Sequence, residues 1–82
     1  MDKVWLVYIL QCSDGTYYTG ITNDLSKRFT KHNSGKGAKY TRTRTPVILM
    51  YFKSIGTMGE ALREERRIKK MSRKKKESLF KI

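Results

Sequence analysis

The sequence predicts an α/β chain of the α+β type, with a three-stranded central sheet flanked by helices in the order β-β-α-β-α-α. Three observations carry this expectation. Two runs, Val4–Cys12 and Val47–Phe52, are rich in β-branched and aromatic residues. The turn-forming Ser13-Asp14-Gly15 separates the first run from Tyr17–Ile21, as in a hairpin. Two stretches with helical spacing of apolar residues, each with a start signal, lie before and after the third strand.

The first run, "VWLVYILQC", is apolar at both odd and even positions and so reads as a strand buried on both sides. Its pairing with Tyr17–Ile21 depends on turn length, because one residue of register moves every side chain to the other face. A two-residue Asp14-Gly15 turn would pair Tyr8 with Ile21 and put Tyr8 and Tyr18 on opposite faces. A three-residue loop with Gly15 left-handed would pair Tyr8 with Gly20 and Leu10 with Tyr18, on one face. The second register is expected, with Gly20 leaving room beside the Tyr8 ring.

Thr22 or Asn23 is expected to cap a helix that begins near Asp24, carries Leu25 and Phe29 on its apolar stripe, and stops around Gly35. Arg28 and His32 would lie one turn apart along its edge. Ser34–Pro46 reads as a basic loop, and Val47–Phe52 as a well-buried third strand. Thr57 and Glu60 form a capping box for the next helix. Ser72 would cap a last short helix, "RKKKESLF", with Leu79 and Phe80 packing back onto the body. The chain is expected to form one domain over residues 1–82.

Lys and Arg number 19 against 7 Asp and Glu, a formal net charge of +12 in 82 residues. Such an excess points to a polyanion, with nucleic acid first and DNA ahead of RNA. A membrane surface fits less well, since an interfacial helix needs a broad apolar face opposite its basic one. The single cysteine, Cys12, excludes an intramolecular disulfide and a cysteine zinc site. The apolar run at 4–10 is too short for a signal peptide or membrane span, so a cytoplasmic location is expected.

Placed at about 100° per residue, Met58, Ala61, Leu62 and Ile68 form one helical stripe, and Glu65 stands in its middle. A carboxylate there is either half of an ion pair, with Arg28 or a nearby lysine, or a ligand for a hard cation such as Mg²⁺. Glu64 is the poorer candidate. Tyr8 and Tyr18 are core aromatics with polar tips, or phenols that orient water or phosphate. Arg28 is an exposed helix arginine, or a guanidinium fork for phosphate. His32, the only histidine, is a satisfied polar side chain or a proton carrier. In "KYTRTRT", Lys39, Arg42 and Arg44 suit phosphate contacts and Tyr40 suits base stacking, if the loop is more than solvated chain.

In order and spacing, "LVYIL" at 6–10, "YYTGIT" at 17–22, "DLSKRFTKHNSG" at 24–35 and "EALREERRIKKM" at 60–71 resemble the GIY-YIG nuclease domain. More closely they resemble the short single-domain GIY-YIG proteins, over essentially the whole chain. The resemblance implies metal-dependent hydrolysis of nucleic-acid phosphodiesters on a compact sheet-centred domain. It casts Tyr8 and Tyr18 as the tyrosines of the two motifs and Gly20 as the second motif's glycine. Arg28 would be the catalytic arginine and His32 the helper in proton transfer. Glu65 would hold the single divalent metal, Mg²⁺ or Mn²⁺. Position 21 is Ile21 where some members carry lysine. With no recognition domain beside it, the domain would cut with low sequence specificity, with a protein partner to guide it, in DNA repair or processing. The rival expectation is a non-catalytic nucleic-acid-binding adaptor on the same fold.

Overall fold

Strand β1, Trp5–Gln11, forms the centre of the sheet, and Val7 through Leu10 are almost fully buried. The computed structural model describes residues 4–81 and contains a three-stranded antiparallel sheet in the order β2-β1-β3. β2 is Tyr17–Thr22 and β3 is Ile48–Gly56. Having a neighbour on each side and helices on both faces makes β1 apolar from Trp5 through Leu10. That is why its sequence lacks the polar alternation of a half-exposed strand.

The hairpin adopts the three-residue register: Tyr8 pairs with Gly20 and Leu10 with Tyr18, with Gly15 at φ 85°. Side chains therefore divide by parity. Tyr8, Leu10 and Cys12 pack with Val47 and with Leu25 and Phe29 of helix α1, Leu25–Asn33. Val7 and Ile9 pack on the opposite face with Ile68 of helix α2, Met58–Lys69, and with Leu79 and Phe80. The last two follow helix α3, Arg73–Glu77, which Ser72 caps as expected.

Four expectations change. Asp24 itself, rather than Thr22 or Asn23, caps α1: its backbone is non-helical and its side chain accepts from the Lys27 amide at 3.2 Å. Thr22 instead receives the Asp24 amide at 3.0 Å, shaping the entry to the helix. β3 is longer than expected and far from well buried, with Ile48 58% and Phe52 55% exposed. It is an edge strand, so one flank and much of its surface meet solvent. Its pairing with β1 also shifts between Ile9 and Leu10, where Met50 is bulged out. Met58 is 50% exposed because it opens α2 beyond the packed stripe, which Ala61 and Ile68 fill. His32 lies fully buried rather than along a helix edge. The expected capping box is present, with Thr57 and Glu60 bonded reciprocally.

Residues 34–46 form the expected loop, folded by its own turns into a strap. Amides of Thr41 and Arg42 bond the Ala38 carbonyl, and Arg44 that of Thr41. At its end Asn33 clamps Val47, accepting from its amide at 2.7 Å and donating to its carbonyl at 3.3 Å. Among the described residues no helix is long and apolar enough to cross a membrane.

Candidate active site

Tyr8, at the middle of β1, needs a side-chain-free neighbour, and the register supplies Gly20 opposite it. A Cβ at Gly20 would lie 2.6 Å from the Tyr8 hydroxyl and 3.1 Å from the Tyr18 ring. Any other residue would push the two phenols out of place. Tyr18, two residues back along β2, sits on the same face, with ring centroids 6.4 Å apart.

His32 comes in from the last turn of α1. Its Nε2 is 2.9 Å from the Tyr8 hydroxyl, and its ring stands 5.9 Å from that of Tyr8 and 5.3 Å from that of Tyr18. Its Nδ1 lies 2.8 Å from the hydroxyl of Thr41, a side chain as completely buried as His32. Gly37 passes so close to the imidazole that a Cβ there would collide with it. Arg28, one turn before His32, lies beside both phenols, which together favour its charged form.

These neighbours set the charge states. Burial pushes the Tyr8 phenol up to about 12, against the pull of Arg28, while Tyr18 and Glu65 push it further up. Burial also holds the His32 imidazole down at about 4, with the positive charge of Arg28 acting in the same direction. Near neutral pH the pair is therefore a neutral phenol against a neutral imidazole.

Glu65 approaches from α2. Burial does not separate it from Glu64, since their side chains are 16% and 17% exposed. Their neighbours do. Glu64 is forked onto Arg67 by bonds of 2.7 and 2.8 Å and faces Tyr51 and Lys53 of β3. Glu65 lies where its charge is felt at Tyr8, with Lys69 Nζ 3.0 Å from its Oε1. The ion-pair alternative is thus realised with Lys69. No group of three or more His, Cys, Asp or Glu side chains able to hold a metal occurs among the described residues. One carboxylate suits a hard cation that completes its shell with water and substrate phosphate, and it does not suit a site built from protein ligands alone.

The basic strap behaves unevenly. Lys39 is exposed. Arg42 Nε donates to the Gly37 carbonyl at 3.3 Å. Arg44 pairs with Asp14 at 3.0 Å, donates to the Tyr40 carbonyl at 2.7 Å, and lies 4.1 Å from the centre of the Tyr40 ring. Tyr40 also stacks against Tyr18. Both rings line a cleft bordered by Tyr17, Thr19, Lys69 and Lys76. Ile21 points to the opposite face and packs against Val7, Ile9 and Ile68, away from the phenols. Sequence reasoning missed Thr41 and Gly37, and nothing local in "KGAKYT" marks them, because their role depends on a histidine in another element.

The structure thus brings together two tyrosines beside a glycine, an arginine and a histidine one turn apart, and a carboxylate from α2 whose charge reaches Tyr8. The chain belongs to the GIY-YIG catalytic domain family, whose model matches residues 4–78. This is a nuclease family. Within it, the chain is similar to short proteins named UPF0213. It is 57% identical to one from Halobacterium salinarum over 90% of this chain and 96% of that one. A second, from Staphylococcus saprophyticus, is 51% identical over 98% and 96%. The solution structure of a UPF0213 protein from Bacillus halodurans aligns with a TM-score of 0.58 at 51% identity, covering 92% of this chain and 80% of that one. A second solution structure, of a protein from E. faecalis, aligns with a TM-score of 0.63 at 40% identity, covering 95% and 84%.

Proposed function

We propose that this chain is an endonuclease of low sequence specificity that hydrolyses nucleic-acid phosphodiesters, DNA before RNA, using Mg²⁺ or Mn²⁺. It would act as one cytoplasmic domain in DNA repair or processing, with a protein partner supplying any target selection. The observation that supports this reading best is the placement of Arg28 against both phenols, with His32 bonded behind one of them.

Arg28 is the group that meets the phosphate, where its fork matches two oxygens and offsets charge developing in the transition state. Tyr8 receives a proton from the attacking water while its own phenol proton passes to His32 Nε2. The oxygen of that water forms the new bond to phosphorus as the bond to the leaving oxygen breaks, and the leaving oxygen takes a proton from solvent. His32 then returns its proton to solvent.

Substrate binding favours this transfer. Arg28 is one of the two causes that depress the His32 imidazole, and a bound phosphate offsets the guanidinium's charge, making His32 a better proton acceptor. Tyr18 helps orient the water, and Lys39, Tyr40, Arg42 and Arg44 form the wall along which the strand lies. Glu65 would hold the divalent cation, which when bound supplies Lewis-acid stabilisation of the phosphate and leaving group.

The test is cleavage of circular single-stranded DNA and a branched duplex with Mg²⁺, Mn²⁺ or EDTA. Wild type should nick only with metal, and Arg28→Ala or Glu65→Gln should lower the rate on the order of 10²-fold or more. Salt-sensitive DNA binding by the wild type without cutting in any condition would replace the enzyme with the adaptor.

A further inference from the structure

Thr41 is used by neither the sequence motifs nor the proposed reaction, yet it is fully buried at 2.8 Å from His32 Nδ1. A threonine hydroxyl has one proton to give. Here Thr41 Oγ1 donates to the Ala38 carbonyl at 3.0 Å, the usual habit of threonine in a helical turn. Towards His32 it is then left only as an acceptor. With the Thr41 proton on the Ala38 carbonyl, the arrangement that satisfies every contact has the imidazole hydrogen on Nδ1, a bare Nε2, and the Tyr8 hydroxyl donating to Nε2 across 2.9 Å.

We propose that Thr41 is a positioning residue: by fixing His32 as its Nδ1–H tautomer, it turns the Tyr8 proton away from the site and leaves the phenol oxygen facing it as an acceptor. Arg28 lies beside that oxygen, and in this proposal it and the attacking water take the two acceptor positions. In the opposite tautomer, His32 and Arg28 would both donate to the phenol. The Tyr8 proton would then point into the site, where it repels the water proton it should receive. One hydroxyl in the strap thus decides whether Tyr8 presents itself to water as a base or as an acid. The neutral state of the buried imidazole agrees with this polarity, since a doubly protonated ring would not distinguish its two nitrogens.

The catalytic part of this inference rests on the nuclease reading, whereas the tautomer does not. His32 is the only histidine, so nitrogen-15 correlation spectra of the imidazole contain one ring. Wild type near neutral pH should show a protonated Nδ1 and a bare Nε2. Thr41→Val, which keeps the shape and loses the acceptor, should shift the ring towards Nε2–H and lower kcat about 10²-fold with KM little changed. Thr41→Ser should restore both. A wild-type ring protonated on Nε2 overturns the proposal, as does a Thr41→Val ring unchanged from wild type. If Thr41→Val fails to fold, the wild-type and Thr41→Ser spectra still decide the tautomer. A protonated Nδ1 in a wild type that never cleaves would count against the nuclease reading and leave the tautomer assignment standing.

Discussion

His32 is the residue whose environment differs most from its sequence context, an imidazole on a strongly basic helix that ends fully buried between Tyr8 and Thr41. Its burial has a consequence for stability. In the unfolded chain the ring takes up a proton as pH falls through about 6.5, while in the folded chain it resists until about 4. The contribution is therefore complete above 6.5 and is lost as pH falls from 6.5 towards 4, at most about 3 kcal/mol. Urea unfolding at pH 7 and pH 5 should show the wild type losing more stability than His32→Gln over that interval. Equal losses would mean that the ring is hydrated and titrates normally. Stabilised carboxylates such as Glu60, Glu64 and Glu77 are present in both proteins, so their effect cancels in the difference.

At the scale of elements, α2 places two adjacent glutamates on opposite sides of one packed stripe. The capping box sets where the helix starts, and Ala61 and Ile68 set which way it rotates against the sheet. Glu64 is thereby turned to β3 and Glu65 to Tyr8. Glu64→Gln should leave metal-dependent cleavage within a few-fold of wild type, although it breaks the fork with Arg67, an exposed pair worth about 1 kcal/mol or less. Loss of cleavage in Glu64→Gln equal to that in Glu65→Gln would show that the helix face had been assigned wrongly. Much of this was legible beforehand, because the 3.6-residue period and the Thr57–Glu60 pair are local signals. The ion partner of Glu65 is local as well, since Lys69 lies four residues on along the same helix, whereas the alternative partner Arg28 sits on another element.

For the whole molecule, the dominant fact is a net charge of +12 with few acidic side chains to offset it. Cations border the site from separate segments: Arg28 on α1, Arg44 on the strap, Lys69 on α2 and Lys76 on α3. Binding through such contacts releases counterions, so affinity for a DNA oligonucleotide should fall on the order of 10³-fold between 50 and 200 mM salt, with little dependence on sequence. Fluorescence anisotropy across that range checks it, and a flat profile would remove phosphate contacts as the source of affinity.

What the sequence by itself determined was what local chemistry can encode. "SDG" set a three-residue turn, the turn set the register, and the register brought Tyr8, Tyr18 and Gly20 onto one face. Continuous apolar character marked β1 as buried on both sides, and the order of motifs indicated the family. Only the tertiary structure decided that β3 is an exposed edge, that His32 is buried against Tyr8, and that Thr41 holds His32. Periodicity and turn preferences act over a few neighbouring residues. The depth of a side chain and the partner it meets depend on segments that come together only when the chain packs, and the stretch between His32 and Thr41, nine positions further on, carries no pattern that announces their contact.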